Sequence, residues 1–246
     1  MRLVLLGSTG YHPNQLRHTA CLMLPEVGIV LDAGTGMFRV RDYLVTPELD
    51  IFLTHAHLDH VAGLTFLFDV LYEKPVLRTT VHAQPDKLAA VRQHLLNELI
   101  FPVALPCDYR ALEKEIPLPQ GGRLTHFPLA HPGGSVGFRL DWPGRSMAYV
   151  TDTTARVGAD YIEHIRGVDL LVHECYFSDD LAHLAELTGH SCTTPVAHVA
   201  RAAGVGRLVL VHLNPLVSEL DPIGLPVARA IFPKTELGSD LMEIDF

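Results

Sequence analysis

Short apolar runs rich in Val, Leu and Ile alternate with clusters of turn residues along the whole chain. Runs of this length, bounded by Gly, Pro, Asn and Asp, read as strands. They predict strands at 2–6, 20–24, 28–32, 50–54, 76–81, 123–129, 135–140, 147–151, 169–173 and 207–211. Longer segments with helical spacing predict helices at 60–71, 86–97, 158–166, 179–187, 195–203 and 225–231. The segment 195–203 carries the clearest signal: Val196, Val199, Ala200 and Ala203 form one stripe at i, i+3, i+4 and i+7. Thr194 can cap it, Pro195 suits its first turn and Gly204 ends it. Strands dominate the first third, and strands and helices alternate afterwards. Helices packed outside two sheets satisfy that order. No linker, low-complexity tract or short repeat divides the sequence, so a single domain over 1–246 is expected.

Four of the apolar runs stop abruptly at metal-ligand residue types: IFLTHAH, AYVTD, LLVHE and LVLVH. The ends of strands gather side chains from distant parts of a chain at one rim, where ligand sites of open α/β sheets lie. His55, Asp152, Glu174 and His212 are therefore candidates to converge. The segment Thr54-His55-Ala56-His57-Leu58-Asp59-His60 is denser still. Residues two apart in an extended segment point the same way, so His55 and His57 can share one ligand. Asp59 and His60 follow where the chain turns toward the apolar segment VAGLTFLFDVLY, and a tight turn can aim them at a second ion. Imidazole nitrogen and carboxylate oxygen suit Zn, and also Mn or Fe. The competing reading is a polar loop of surface histidines ahead of a helix.

Composition narrows the function classes. With a net charge of −9 and no basic run of five or more, broad salt-dependent binding to nucleic acid is not expected. No run of 18 or more apolar residues occurs, so no membrane-spanning helix is expected. MRLVLLGSTG has too short an apolar stretch for an export signal and reads as a first strand. Cys21, Cys107, Cys175 and Cys192 form no CxxC pair and are expected to be reduced, in a cytoplasmic protein.

HAHLDH (55–60) resembles the HxHxDH signature of metallo-β-lactamase-fold hydrolases. The resemblance continues in order through LDAGTG (31–36), AHPGGSVGFRL (130–140), YVTDT (149–153) and VHLNP (211–215). It implies a four-layer αββα sandwich, an α/β (α+β) fold of two mixed sheets flanked by helices. It implies two divalent ions, with zinc expected before Mn or Fe. His55, His57 and His131 would hold the first ion, and Asp59, His60 and His212 the second. Asp152 would bridge the two, together with a hydroxide. Asp32 would orient a ligating histidine, or simply form a turn before Gly-Thr-Gly.

Two further motifs select a branch. HECYF (173–177) resembles the HEATF-type segment of ribonuclease Z and its phosphodiesterase relatives, and GHSCT (189–193) resembles their GHST segment. The resemblance implies that Glu174 and His190 assist the leaving group, so that Asp59, His190 and Glu174 make up the catalytic set. A histidine held by a carboxylate can stay protonated and donate to a departing oxygen. His173, on the opposite side of its strand from Glu174, is expected to be structural, and Tyr176 and Phe177 to pack. His12, His18, His82, His94, His126, His164, His183 and His198 carry no motif. Loop 8–19 is a candidate for the mouth of the site or a plain hairpin connection.

The chain departs from tRNA-maturing members of that group. Those carry a long arm between the third histidine and the bridging aspartate, whereas here Asp152 follows His131 by 21 positions. That gap reads as two strands around a W-P-G-R turn, with no room for an arm. The expected substrate is a small or cyclic nucleotide-type phosphodiester, and tRNA is not expected as a partner. Carboxyl-ester, thioester or lactone hydrolysis is one alternative, and a compact ribonuclease Z-like RNA-processing nuclease another. The apolar stretch 61–72 offers either a homodimer surface or core.

Overall fold

The computed structural model describes residues 1–217 and 219–246. The chain forms two compact units, one from Met1–Glu113 with Ser239–Asp245 and the other from Lys114–Gly238. Each contains one mixed seven-stranded sheet.

In the first unit the strands are β1 (Arg2–Gly7), β2 (Cys21–Leu24), β3 (Ile29–Leu31), β4 (Glu48–Phe52), β5 (Arg78–Ala83) and β6 (Asp108–Ala111). A late strand near the C-terminus, Glu243–Asp245, pairs antiparallel with β1 through Leu3 and Ile244. β1, β2 and β3 pair antiparallel in sequence, and β3, β4, β5 and β6 pair in parallel. β1 to β3 are buried along almost their entire lengths, which is why they read as unbroken apolar runs and not as alternating ones. Val4, Leu6, Met23, Val30, Ile51 and Val81 supply the strand side of this core.

The segment predicted as one helix over 60–71 is broken into Leu58–Val61, a 3-10 turn at Ala62–Phe66 and Leu67–Leu71. The cause is Gly63. Its N–H donates to Ala33 O at 2.8 Å, so it turns toward the bend after β3. A Cβ on Gly63 would stand 2.1 Å from Gly34 O. Overpacking of this kind costs about 1–3 kcal/mol. Gly63→Ala is therefore expected to lower stability by about that amount, read from chemical denaturation at unchanged slope. Within this stretch Val61, Leu64, Leu67 and Val70 go to the core, while Phe68 and Tyr72 stay exposed. The predicted helix 86–97 likewise divides, into Pro85–Ala90 and a π-turn at Val91–Leu95 where Leu96 N–H reaches back to Val91 O.

In the second unit the strands are β7 (Glu115–Leu118), β8 (Gly122–Leu129), β9 (Ser135–Trp142), β10 (Arg145–Val150), β11 (Leu170–Glu174), β12 (Arg207–Val211) and β13 (Thr235–Leu237). β7 to β10 pair antiparallel and β10 to β13 in parallel, so this sheet repeats the pattern of the first. β9 and β10 form a hairpin closed by Trp142 opposite Arg145, with Gly144 at φ 79°. This hairpin fills the interval between His131 and Asp152.

The helix predicted at 195–203 runs over Thr193–Ala203 and ends at Gly204 with φ 63°. Its stripe packs with Leu171, Leu208 and Leu210. The predicted Thr194 cap is corrected: Thr194 lies inside the first turn, and Asp179 from the preceding segment takes the cap's place. Asp179 Oδ1 accepts from Thr194 N at 2.9 Å and Oδ2 from Thr194 Oγ1 at 2.6 Å. Prediction at 158–166 shrinks to Tyr161–His164 between Gly158 and Gly167, both at positive φ. The helix predicted at 179–187 starts as a 3-10 turn, Asp179–Leu181, and continues as Ala182–Thr188. Leu225–Ile231 matches its prediction, its first turn held by Asp221. Among the described residues no helix is long and apolar enough to cross a membrane.

Candidate metal centre

Each unit builds its share of the ligand-type residues from loops at strand ends. In the first, the chain leaves β4 and passes through Thr54, His55 and His57 before the turn Leu58–Val61. His55 and His60 are buried, Asp59 is half-buried and His57 is exposed. The rings of His55 and His57 lie 4.5 Å apart, and those of His55 and His60 4.3 Å. Asp32, directly after β3, sits at φ 59° and is fully buried. One carboxylate oxygen accepts from Thr54 N at 2.8 Å and the other faces His60 Nδ1 at 2.8 Å. A carboxylate only accepts, so His60 carries its proton on Nδ1 and keeps the Nε2 lone pair for a ligand. Thr54 Oγ1 lies 3.0 Å from His55 Nδ1 and fixes that ring as well. Asp59 Oδ2 accepts from Tyr11 N at 2.7 Å, so loop 8–19 touches the constellation directly.

In the second unit His131 follows β8, Asp152 follows β10 and His212 follows β12. Asp152 and His212 adopt φ values of 54° and 55°, an unusual backbone that turns each side chain off its strand. His131 Nδ1 stands 3.0 Å from Gly189 O, which again places the proton on Nδ1 and the lone pair on Nε2. That Nε2 lies 3.5 Å from Asp152 Oδ1, while His212 Nε2 lies 3.4 Å from Asp152 Oδ2. The two oxygens of one carboxylate thus face two different imidazoles, the disposition a bridging ligand needs. Neutral imidazole nitrogens paired with carboxylate oxygens fit a divalent cation of borderline softness.

His190 belongs to the same cluster: its ligand atom and those of Asp152 and His212 lie within 4.8 Å of one another. Its Nδ1 faces Glu174 Oε1 at 3.2 Å. Glu174 is fully buried and does more than hold this ring. Oε1 accepts from Thr153 N at 2.7 Å and Oε2 from Ser191 N at 3.1 Å. It therefore ties the loop carrying Asp152 to the loop carrying His190. Burial alone would raise the Glu174 pKa, but the charge and hydrogen bond of His190, with help from His212, hold it below the usual carboxylate range.

Tyr176 packs as expected, but the sequence did not identify its partner: its ring stacks on His190 at 4.8 Å and 18°. Nothing in HECYF marks that contact, since strand periodicity ends at Glu174. His173 is structural as expected, buried with Nε2 on Tyr161 OH and Nδ1 on Glu174 O. Of the histidines without a motif, His18 pairs with Thr35, His82 with Asp50 and His198 with Arg201, and His164 stacks on Phe127.

A family model described as Beta-lactamase superfamily domain matches residues 28–213. The ribonuclease Z of Synechococcus sp. (strain CC9605) is 29% identical over 313 aligned positions, covering all of this chain and 98% of the relative. The ribonuclease Z of Salinibacter ruber (strain DSM 13855 / M31) is 30% identical over 297 positions, with 96% and 91% covered. Among solved structures, the metallo-beta-lactamase fold protein YhfI from Bacillus subtilis superposes with a TM-score of 0.82 at 17% identity, over 99% of both chains.

Proposed function

Because this chain belongs to the β-lactamase superfamily, in its ribonuclease Z-like branch, and is a metal-dependent hydrolase of that fold, we propose that it is a dinuclear phosphodiesterase acting on a small or cyclic nucleotide-type phosphodiester. A single domain over 1–246 is part of this reading. As the HxHxDH resemblance implies, His55, His57, His131 and Asp152 would hold one ion, and Asp59, His60 and His212, with Asp152, the other. Zinc is the first choice of metal, since the set is rich in imidazole. When bound, such ions lower the pKa of water and stabilise charge on attacking and leaving oxygens.

The observation that carries the reading is the His190–Glu174 pair beside Asp152. In this reading the buried carboxylate supports the protonated form of the imidazole, Tyr176 stacks on its ring, and the pair gives a proton to a departing oxygen. An alkoxide leaving from phosphorus needs that proton, so the pair suits a nucleotide diester. Asp32 and Gly189 O orient His60 and His131, and Thr54 orients His55.

RNA processing is the second reading, favoured by relatives that are named ribonuclease Z. Against it stand the acidic balance of −9 and the short β9–β10 hairpin. The alignment of 313 positions against 246 residues also means that the Synechococcus relative carries segments this chain lacks. Pre-tRNA is therefore expected to be processed weakly or not at all. One panel tests both readings: bis-p-nitrophenyl phosphate, a cyclic nucleotide, a thioester and pre-tRNA. Efficient 3′ cleavage of pre-tRNA at physiological salt supports the second reading, and turnover of the thioester alone rejects both.

A further inference from the structure

Among the described residues, a three-donor cluster is built wholly within the second unit: Asp152, His190 and His212 each offer a ligand atom, and the three atoms lie within 4.8 Å of one another. Asp152 follows β10 and His212 follows β12, with β11 paired between them, so the sheet itself sets the spacing of these two arms. His212 Nε2 stands 3.4 Å from Asp152 Oδ2. Two donors of one tetrahedral zinc stand about 3.3 Å apart when each bond is about 2.0 Å long. The third arm is held from β11. Glu174, its last residue, faces His190 Nδ1 with Oε1 at 3.2 Å, while its Oε2 accepts from Ser191 N. The His190 ring stacks on that of His212 at 5.3 Å and 28°.

Glu174 treats His190 as Asp32 treats His60, with a buried carboxylate on Nδ1. That pairing fixes the tautomer of metal-bound imidazoles and leaves Nε2 to the ion. Two imidazoles and one carboxylate are also a complete catalytic zinc set, in which three protein ligands leave the fourth position open. We propose that Asp152, His190 and His212 take up the first divalent cation that the protein meets, with His190 as a ligand, so that the one-ion protein is held idle. Coordination uses the Nε2 lone pair, and the proton that this nitrogen carries as a donor passes to solvent. His190 then has no proton for a departing oxygen until a second ion draws Asp152 and His212 into the two-ion arrangement. The idle state and its release rest on the dinuclear phosphodiesterase reading, whereas the one-ion site stands on the cluster itself.

The test uses the full chain, stripped with a chelator and given zinc at one and at two equivalents. The nitrogen-15 resonance of His190 Nε2, assigned by its loss in H190Q, is expected to move to the position of a zinc-bound nitrogen at one equivalent and to leave it at two. In competition with a chromophoric chelator, H190Q is expected to bind the first equivalent about tenfold or more weakly, and to reach the zinc content of wild type when zinc is in excess. A resonance unmoved at one equivalent, or a first equivalent bound as tightly by H190Q as by wild type, overturns the proposal. A resonance still zinc-bound at two equivalents overturns the release and makes His190 a permanent ligand. Should H190Q fail to fold, H190A supplies the same assignment and the same comparison. If zinc-saturated wild type turns over neither a cyclic nucleotide nor bis-p-nitrophenyl phosphate, the phosphodiesterase reading falls, and the resonance at one equivalent alone decides on the one-ion site.

Discussion

His55→Ala and Asp152→Ala are expected to lose metal and activity together. His55 is buried, with Thr54 on Nδ1, so its remaining nitrogen has no solvent role to play. Asp152 faces both His131 and His212 through separate oxygens. Its removal should weaken both proposed ions, whereas His55→Ala should weaken one first. Loss of even an orienting partner of a metal ligand typically costs about 10–100-fold, so a ligand should cost at least about 10²-fold in rate. Asp32→Asn belongs in the orienting class and should fall within that smaller range. Elemental analysis of reconstituted protein checks this, with about two ions expected per wild-type chain. One ion or none in wild type, or full activity in Asp152→Ala, would count against the ligand set.

His190→Ala should instead keep its metal and lose rate according to the leaving group. General-acid assistance is worth about 10²–10⁴-fold. p-Nitrophenolate departs without a proton and a ribose alkoxide does not, so the loss should be far larger on a nucleotide diester than on bis-p-nitrophenyl phosphate. Metal loss in this variant would make His190 a ligand, a role that its place beside Asp152 and His212 makes concrete. An equal loss on both substrates would place it in substrate binding. Glu174→Gln should show the same selectivity more weakly, together with a lower melting temperature. An amide nitrogen there would meet Thr153 N–H or Ser191 N–H, two donors that now share one carboxylate.

Much of this was legible because strands that are buried along their length leave unbroken Val, Leu and Ile runs. β1, β10, β11 and β12 were placed within two residues in that way. The strands that escaped are Asp108–Ala111, Glu115–Leu118, Thr235–Leu237 and Glu243–Asp245, which are short and mostly polar or exposed at the sheet edges. Helix lengths failed wherever a backbone contact overrode local propensity, as at Gly63, since a hydrogen bond to Ala33 has no signature in a periodicity. The candidate ligands were visible because HxHxDH is compact and specific. Their supports were not. Asp179 capping Thr194, Tyr176 stacking on His190 and Glu174 tying two loops are contacts between residues far apart in sequence or off any period.

Asp32, Asp152 and His212 share one backbone feature, a positive φ on a residue other than glycine. Each such residue costs about 1–3 kcal/mol, and whole domains are stable by only about 5–15 kcal/mol. The three bends that aim these side chains therefore take a sizeable fraction of the margin that keeps the protein folded. Selection for heat tolerance alone would favour glycine at 152 and 212, and would arrive at a sturdier protein without the proposed ligands. Thermal adaptation is then expected to come from elsewhere in the chain, because Asp32, Asp152 and His212 are strained at positions proposed for the metal centre.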